Sequence, residues 1–183
     1  MNPSQPRLRV GLLLDDFVQP RWIARIVEAL ACSTSVELSL VVLNDAPAPP
    51  RTRFARARSW IRNRHYLLYA FYSRLDRWWF KVPNDPFVES DLESRFMGVP
   101  IIRVRPRMTK HCDYFEQSDV QTVLAHDLDV AVRFGFRILK GDALRIARYG
   151  VWSYHHGDNF VNRGGPAGFW EVMEDADVTG SVL

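Results

Sequence analysis

The sequence predicts an α/β fold in which helices cover a doubly wound, mostly parallel sheet. Apolar runs of strand length alternate with helical segments along most of the chain, as parallel sheets require. Several strand candidates are almost continuously apolar, which is expected of strands that are covered on both faces. Polar residues directly follow some of these strands, where open α/β sheets place their binding sites.

Length and composition favour one domain spanning residues 1–183. A chain of this length that is 47% hydrophobic can form a core without disulfide bonds or structural zinc. Cys32 and Cys112 form no CxxC pair, which favours a reducing compartment and a cytoplasmic protein. Residues 1–6 lack a signal-peptide pattern, and no apolar run approaches the roughly 20 residues of a spanning helix.

A βαβ unit is predicted at the start of the chain. Leu8–Leu14 and Val36–Leu43 are strand candidates, and the helix between them begins near Pro20. The apolar face of that helix carries Trp22, Ile23, Ile26, Val27 and Leu30. The first turn has no GxGxxG pattern, which argues against a dinucleotide site.

The segment of about 51–84 is predicted to be a helical insertion. Ser59–Phe80 is a long helix candidate in which Leu68, Tyr72, Leu75 and Trp79 recur at heptad spacing. From Arg51 to Lys81 there are nine basic residues and one acidic residue, a net charge of 9 − 1 = +8, so the remainder carries 3 − 8 = −5. We expect the aromatic stripe to pack against this domain or against a missing partner, and the basic residues to form a solvated face. Peripheral membrane contact through 59–80 and nucleic-acid binding are less favoured alternatives.

The α/β pattern resumes after Gly98 and makes the predicted fold Rossmann-like. The predicted elements are a strand at Val99–Val104, a helix at Ser118–Ala125 capped by Ser118, a strand at Leu128–Phe134, a short helix capped by Asp142 that ends before Gly150, a strand at Val151–Tyr154, a helix at Gly164–Met173 and a strand at Thr179–Leu183. The strand at Val151–Tyr154 delivers His155 to the carboxyl edge of the sheet. Because the chain stops on a strand, we expect the domain to be incomplete at its carboxyl end.

The chemistry concentrates in residues 149–166, which read YGVWSYHHGDNFVNRGGP. The run Arg163-Gly164-Gly165 is either a tight turn or a set of backbone amides that open a helix and bind an anion. A metal site at His155, His156 and Asp158 is disfavoured, because adjacent residues of a strand point to opposite faces.

This segment resembles the active-site signature of the folate-dependent formyltransferases, with Gly150, His155, Arg163 and Gly164 in register. Residues 127–139, DLDVAVRFGFRIL, resemble the strand and loop whose backbone borders the folate pocket in that family, and Trp170 and residues 178–180 also match. The resemblance implies a formyltransferase-like fold and formyl transfer from 10-formyltetrahydrofolate to the amine of a small molecule, such as an amino sugar. A carboxyl-terminal domain would be a further partner.

The resemblance also implies roles for individual residues. His155 matches the catalytic histidine that takes the amine proton, and Ser153 stands where the family has an asparagine that serves the oxyanion. His156, which replaces a proline, or Asn159 is an alternative donor. The family's catalytic aspartate would lie beyond Leu183. Folate and substrate would be bound by Phe134, Gly135, Arg137, Ile138, Leu139, Asp158, Asn159, Arg163, Gly164 and Gly165.

Three other classes of function stay open. The Ser153 substitution favours a non-catalytic binding domain that retains the fold. A formyl hydrolase would use water in place of the amine at the same centre. A nucleic-acid-binding module would use the basic segment and would bind less tightly as salt rises.

Overall fold

The computed structural model describes residues 6–47, 64–81, 83–158, 160–161 and 168–183. In chain order the strands and helices are β1 (Leu8–Leu14), β2 (Val18–Pro20), α1 (Arg21–Ala31), β3 (Val36–Asn44), α2 (Leu67–Trp79), β4 (Glu89–Asp91), β5 (Ile101–Val104), β6 (Arg107–Met108), β7 (Cys112–Tyr114), α3 (Gln117–Leu124), β8 (Val130–Arg133), β9 (Ile138–Lys140), β10 (Val151–Ser153), β11 (His155–His156), α4 (Phe169–Met173) and β12 (Ser181–Val182). Short 3-10 turns lie at Arg64–Tyr66, Glu93–Phe96 and Gly141–Arg145.

Five parallel strands form the central sheet in the order β10-β8-β1-β3-β5. The chain builds outward from β1 through β3 to β5, and then returns to the other side of β1 to add β8 and β10. This order confirms the predicted doubly wound, Rossmann-like α/β fold. The direction of winding reverses between β1 and β8, and such sheets bind ligands at the carboxyl edge beside that reversal.

Two hydrophobic clusters cover the two faces of the sheet. Leu12 and Leu14 of β1 belong to the cluster with α1, whereas Leu13 belongs to the cluster with α3. Successive side chains of a strand point to opposite faces, so a strand covered on both sides needs an apolar residue at every position. This explains why residues 10–14, the buried part of β1, form a continuous apolar run, and the predicted bounds of β1 are confirmed.

Several predicted element boundaries are corrected. The helix predicted from Ser118 begins at Gln117, with the extended residue Glu116 as its N-cap and no side-chain cap, while the Ser118 carbonyl accepts a hydrogen bond from Thr122. The helix predicted after Asp142 is only the 3-10 turn Gly141–Arg145. Ile26 of α1 is exposed, because Ala24 takes the buried position beside Ile23 and Val27.

The predicted insertion helix is present in part. Arg64–Tyr66 and α2 fall within the predicted Ser59–Phe80, and residues 59–63 lie outside the described residues. No residue of α2 is buried, so its predicted packing face does not pack against this domain in the described part of the chain. Among the described residues, no helix has the length and apolar character needed to cross a membrane.

The end of β1 and the loop after β8 touch through main-chain atoms. The amides of Phe134 and Gly135 both donate to the carbonyl of Leu13, at 2.9 and 2.8 Å. A Cβ atom at Gly135 would overlap the backbone of Leu14 and Asp15. Glycine is therefore required at this crossing for space.

We expect Gly135→Ala to lower the free energy of unfolding by roughly 2–4 kcal/mol, because the overlap is with backbone that cannot turn away. Gly98→Ala is the control: it has open space around the added carbon and bears only the cost of its positive φ, about 1 kcal/mol. Urea denaturation measures both. Equal losses in the two variants would contradict the close approach.

Candidate functional site

The carboxyl ends of four central strands bring polar side chains together at one edge of the sheet. Asp15 follows β1, Asn44 ends β3, Arg133 ends β8 and Ser153 ends β10. An Asp15 carboxylate oxygen accepts hydrogen bonds from the Asn44 amide group and from the backbone amide of Phe136, both at 2.7 Å. This carboxylate thus ties β1 to β3 and to the loop after β8.

Arg133 connects the same loop to β10. One terminal nitrogen of its guanidinium donates to the carbonyls of Phe136 and Arg137 at 3.1 and 2.7 Å, and the other donates to Ser153 Oγ at 2.6 Å. Burial lowers the pKa of Arg133, and the nearby charge of Asp15 partly opposes that shift. Because an arginine keeps its proton at neutral pH, the edge holds a half-buried cation beside the Ser153 hydroxyl.

The hydrogen bond from Arg133 makes the Ser153 hydroxyl a hydrogen-bond donor toward other groups. A hydroxyl group has one proton to donate and accepts through oxygen. Since Ser153 Oγ accepts from a charged donor, its own proton is directed to another acceptor, and the positive charge makes it a stronger donor. This is the arrangement that an oxyanion donor needs.

The two histidines follow β10 but do not continue it. β10 ends at Ser153, and His155–His156 form β11, which pairs antiparallel with Ser181–Val182. The predicted strand through Tyr154 is therefore one residue too long, and Ser153 and His155 do not lie on one continuous strand. The imidazole rings of His155 and His156 stack at 5.8 Å with an interplanar angle of 13°, so they lie side by side and not on opposite faces.

The histidine segment is held from the carboxyl end of the chain. The Gly157 amide donates to the Gly180 carbonyl at 2.8 Å, and Asp158 accepts a hydrogen bond from the amide of Phe160 at 2.7 Å. A Cβ at Gly180 would lie 3.0 Å from Cβ of Asp158. The Asp158 carboxylate thus shapes a turn, and the backbone and Cβ of Asp158 pack closely against Gly180.

A row of aromatic side chains borders the histidines. Trp22 of α1 contacts Phe134 at 5.8 Å and Tyr154 at 6.1 Å between ring centroids, and Tyr154 contacts His156 at 6.4 Å. Trp22 and Phe134 are half-buried, while Tyr154 is exposed. The row presents aromatic faces beside the polar edge and can bind a flat ring system by stacking.

Arg137 was predicted to bind folate or substrate, and its guanidinium is engaged within the protein. Its five N–H donors make bonds to Asp113 and to the carbonyls of Thr109, Lys110 and Cys112. Asp113 is almost fully buried and also accepts from the Arg137 amide at 2.8 Å. Arg137 therefore joins the loop after β8 to the sheet of β6, β7 and β9.

The other predicted residues divide into three groups. Phe134 and Gly135 lie at the polar edge with Ser153, whereas Leu139 is part of the core and Ile138 is exposed on β9. Asn159, Arg163, Gly164 and Gly165 lie outside the described residues. Within the described ranges, no group of three or more His, Cys, Asp or Glu residues has the geometry of a metal site.

Sequence reasoning missed four members of this edge: Asp15, Asn44, Arg133 and Trp22. Asp15 and Asn44 carried a usable signal, because each directly follows an apolar run at the carboxyl end of a predicted strand. Arg133 carried none, since a charged residue that ends a strand is equally typical of a solvated surface.

A cleft with a volume of about 710 Å³ lies at the opposite, amino edge of the sheet, away from the histidines. Its lining residues are Leu124, Asp127, Leu128, Asp129, Leu144, Arg145, Ile146, Ala147, Arg148 and Gly150. It holds neither a histidine nor a hydroxyl group. We favour the carboxyl edge as the functional site, because the groups suited to catalysis converge there and volume alone does not define a site.

Comparison with known proteins adds no family to this description, since no protein-family model and no curated protein matches the chain. The functional assignment therefore rests on the residues at the carboxyl edge and on the resemblance of residues 127–139 and 149–166.

We expect Asp113→Asn to lower the free energy of unfolding by about 2–3 kcal/mol, because it removes the buried charge that accepts from the Arg137 side chain and amide. Glu28→Gln is the matched control, because Glu28 pairs with Arg95 at the surface and such pairs contribute under about 1 kcal/mol. Chemical denaturation compares the two. A loss in Asp113→Asn no larger than in Glu28→Gln would show that Asp113 does not anchor the loop.

Proposed function

We propose that the chain is a formyltransferase-like enzyme that transfers the formyl group of 10-formyltetrahydrofolate to the amine of a small molecule, such as an amino sugar. The observation that carries this proposal is the position of the two segments that resemble the family. They form adjacent strands, with Ser153 of β10 paired with Arg133 of β8 and bonded to its side chain. Residues far apart in sequence thus meet at the edge where such sheets bind ligands.

The chemistry assigns a separate task to each group. His155 accepts the amine proton as the amine nitrogen bonds to the formyl carbon. Ser153 donates a hydrogen bond to the oxyanion that the formyl oxygen becomes. When the tetrahedral centre collapses, the carbonyl re-forms, the bond from the formyl carbon to the folate nitrogen breaks, and His155 returns the proton to that nitrogen. The transfer is redox-neutral, and its atoms balance.

The surroundings of these two residues support the assignment. The aromatic faces of Trp22, Phe134 and Tyr154 suit a flat pterin ring, and the loop after β8 presents backbone next to them. Arg133 raises the donor strength of Ser153 without requiring a side chain to move during the reaction. A small amine would approach from the exposed side, where both imidazoles lie.

We expect His155→Ala to reduce formyl transfer at least ~10²-fold while the affinity for 10-formyltetrahydrofolate changes little, because the imidazole acts mainly on the transition state. His111→Ala is the control, since His111 is exposed and lies outside the carboxyl edge. Mass spectrometry of the products of full-length protein, with a panel of amino sugars, measures transfer. Unchanged turnover in His155→Ala would defeat the mechanism.

The same product analysis separates the rival functions. A formylated amine supports transfer, whereas free formate with tetrahydrofolate identifies a hydrolase. Saturable binding of the folate with neither product identifies a binding domain.

We expect Ser153→Ala to lower kcat on the order of 10²-fold with little change in KM, as found for loss of an oxyanion donor. Ser153→Asn retains activity, because the amide oxygen can accept from Arg133 while the amide nitrogen donates to the oxyanion. Steady-state kinetics of both variants tests this. If Ser153→Ala matches the wild type and His156→Ala is inactive, the donor is His156.

A further inference from the structure

The apolar face of α2 lies open to solvent. At about 100° per residue, Leu67, Leu68, Phe71, Tyr72, Leu75, Trp78 and Trp79 occupy one arc of about 140°. Their exposed fractions range from 41% at Leu75 to 79% at Leu68. The opposite side of the helix carries Tyr69, Ser73, Arg74, Asp76 and Arg77. A strongly amphipathic helix normally buries its apolar side, whereas no residue on the apolar side of α2 is buried.

The residue types on this face suit a bilayer interface more than a protein core. Four of the seven are aromatic: Phe71, Tyr72, Trp78 and Trp79. Tryptophan and tyrosine are enriched where a membrane meets water, because one end of the ring is apolar and the other is polar. The rings of Trp78 and Trp79 contact each other edge to face at 5.7 Å, and both are 72% exposed.

The charge around the helix identifies the kind of surface. The segment from Arg51 to Lys81 carries +8 and the rest of the chain −5, so attraction to an anionic partner is concentrated here. Arg64 and Lys81 flank α2 in sequence, and Arg74 and Arg77 lie on its polar side. An anionic bilayer offers phosphate and carboxylate groups above an apolar layer, which matches both features. A nucleic acid matches only the charge.

We propose that α2 is a membrane-docking helix that lies in the interface of an anionic lipid bilayer. Trp78, Phe71 and Trp79 insert among the lipids, and Arg74 and Arg77 contact the headgroups. The proposal does not depend on formyl transfer, because it uses neither the carboxyl edge nor its residues.

Binding to lipid vesicles tests the proposal. The full chain is mixed with vesicles of phosphatidylcholine containing about one third phosphatidylserine, and with vesicles of phosphatidylcholine alone. We expect co-sedimentation with the anionic vesicles, weakened by salt, together with a blue shift of tryptophan fluorescence. Absence of binding to anionic vesicles would overturn the proposal, as would equal binding to both kinds.

Substitutions on the two sides of α2 locate the contact. Trp78→Glu and Tyr69→Glu introduce the same charge at aromatic residues that are similarly exposed, 72% and 68%, and that lie on opposite sides of the helix. We expect Trp78→Glu to weaken vesicle binding at least ~10-fold more than Tyr69→Glu does. Equal effects would show that binding depends on charge alone and would exclude insertion of this face.

Two double variants with the same change in net charge test the contribution of the arginines on α2. We expect Arg74→Gln with Arg77→Gln to lower affinity for anionic vesicles about 30-fold, since each cation near the surface contributes about a factor of five. The control is Arg25→Gln with Arg105→Gln, which makes the same change in net charge at exposed positions outside α2. Similar losses in both pairs would contradict docking through α2.

Two further outcomes distinguish other occupants. A wild-type dimer in sedimentation velocity that becomes monomeric in Trp78→Glu would assign the face to a second copy of the chain and overturn the proposal. Binding of single-stranded RNA that is unchanged in Trp78→Glu, without binding to anionic vesicles, would assign the basic segment to nucleic acid and overturn the proposal.

Discussion

Charged side chains hold the main chain of the loop after β8, residues 134–137, in addition to the bonds that the amides of Phe134 and Gly135 make to the Leu13 carbonyl. Asp15 accepts from the Phe136 amide, Arg133 donates to two carbonyls, and Asp113 accepts from the Arg137 amide. Phe136 has a φ of 61°, which is costly for a side chain of its size. Its ring is buried against Phe115, so packing and three charges together hold this conformation.

The two proposed catalytic residues of the candidate site are not held equally firmly. Ser153 lies on a strand of the central sheet and is fixed by Arg133, so its hydroxyl is positioned before any ligand arrives. His155 lies on a two-residue strand that pairs only with Ser181–Val182 in the described part of the chain. A short two-stranded pair is marginal by itself. The position of the imidazole therefore depends on the contact of Gly157 and Asp158 with Gly180.

Sequence periodicity predicted the parts of the fold whose stability comes from burial. The bounds of β1 and β3 and the start of α1 were predicted to within one residue, because strands covered on two faces and helices covered on one leave clear patterns. The sheet of β6, β7 and β9 was not predicted. Its strands have two or three residues, and a salt bridge between residues 24 apart in sequence organises them. No local pattern encodes such a contact, and the same is true of the Arg133 bond to Ser153.

The serine at position 153 is the main departure from the formyltransferase signature, and its environment offers a physical compensation. A serine hydroxyl reaches less far than an asparagine amide and has one proton to donate. Here that single donor is polarised by a half-buried guanidinium at 2.6 Å, which makes the hydroxyl a stronger hydrogen-bond donor. In the proposed transfer, the shorter reach would bring the reacting carbon nearer β10, close to the contact between the rings of Phe134 and Trp22. The effects of substitutions at residues 133, 134 and 153 on the proposed transfer should therefore be non-additive, because the three side chains together determine where the reacting carbon can lie.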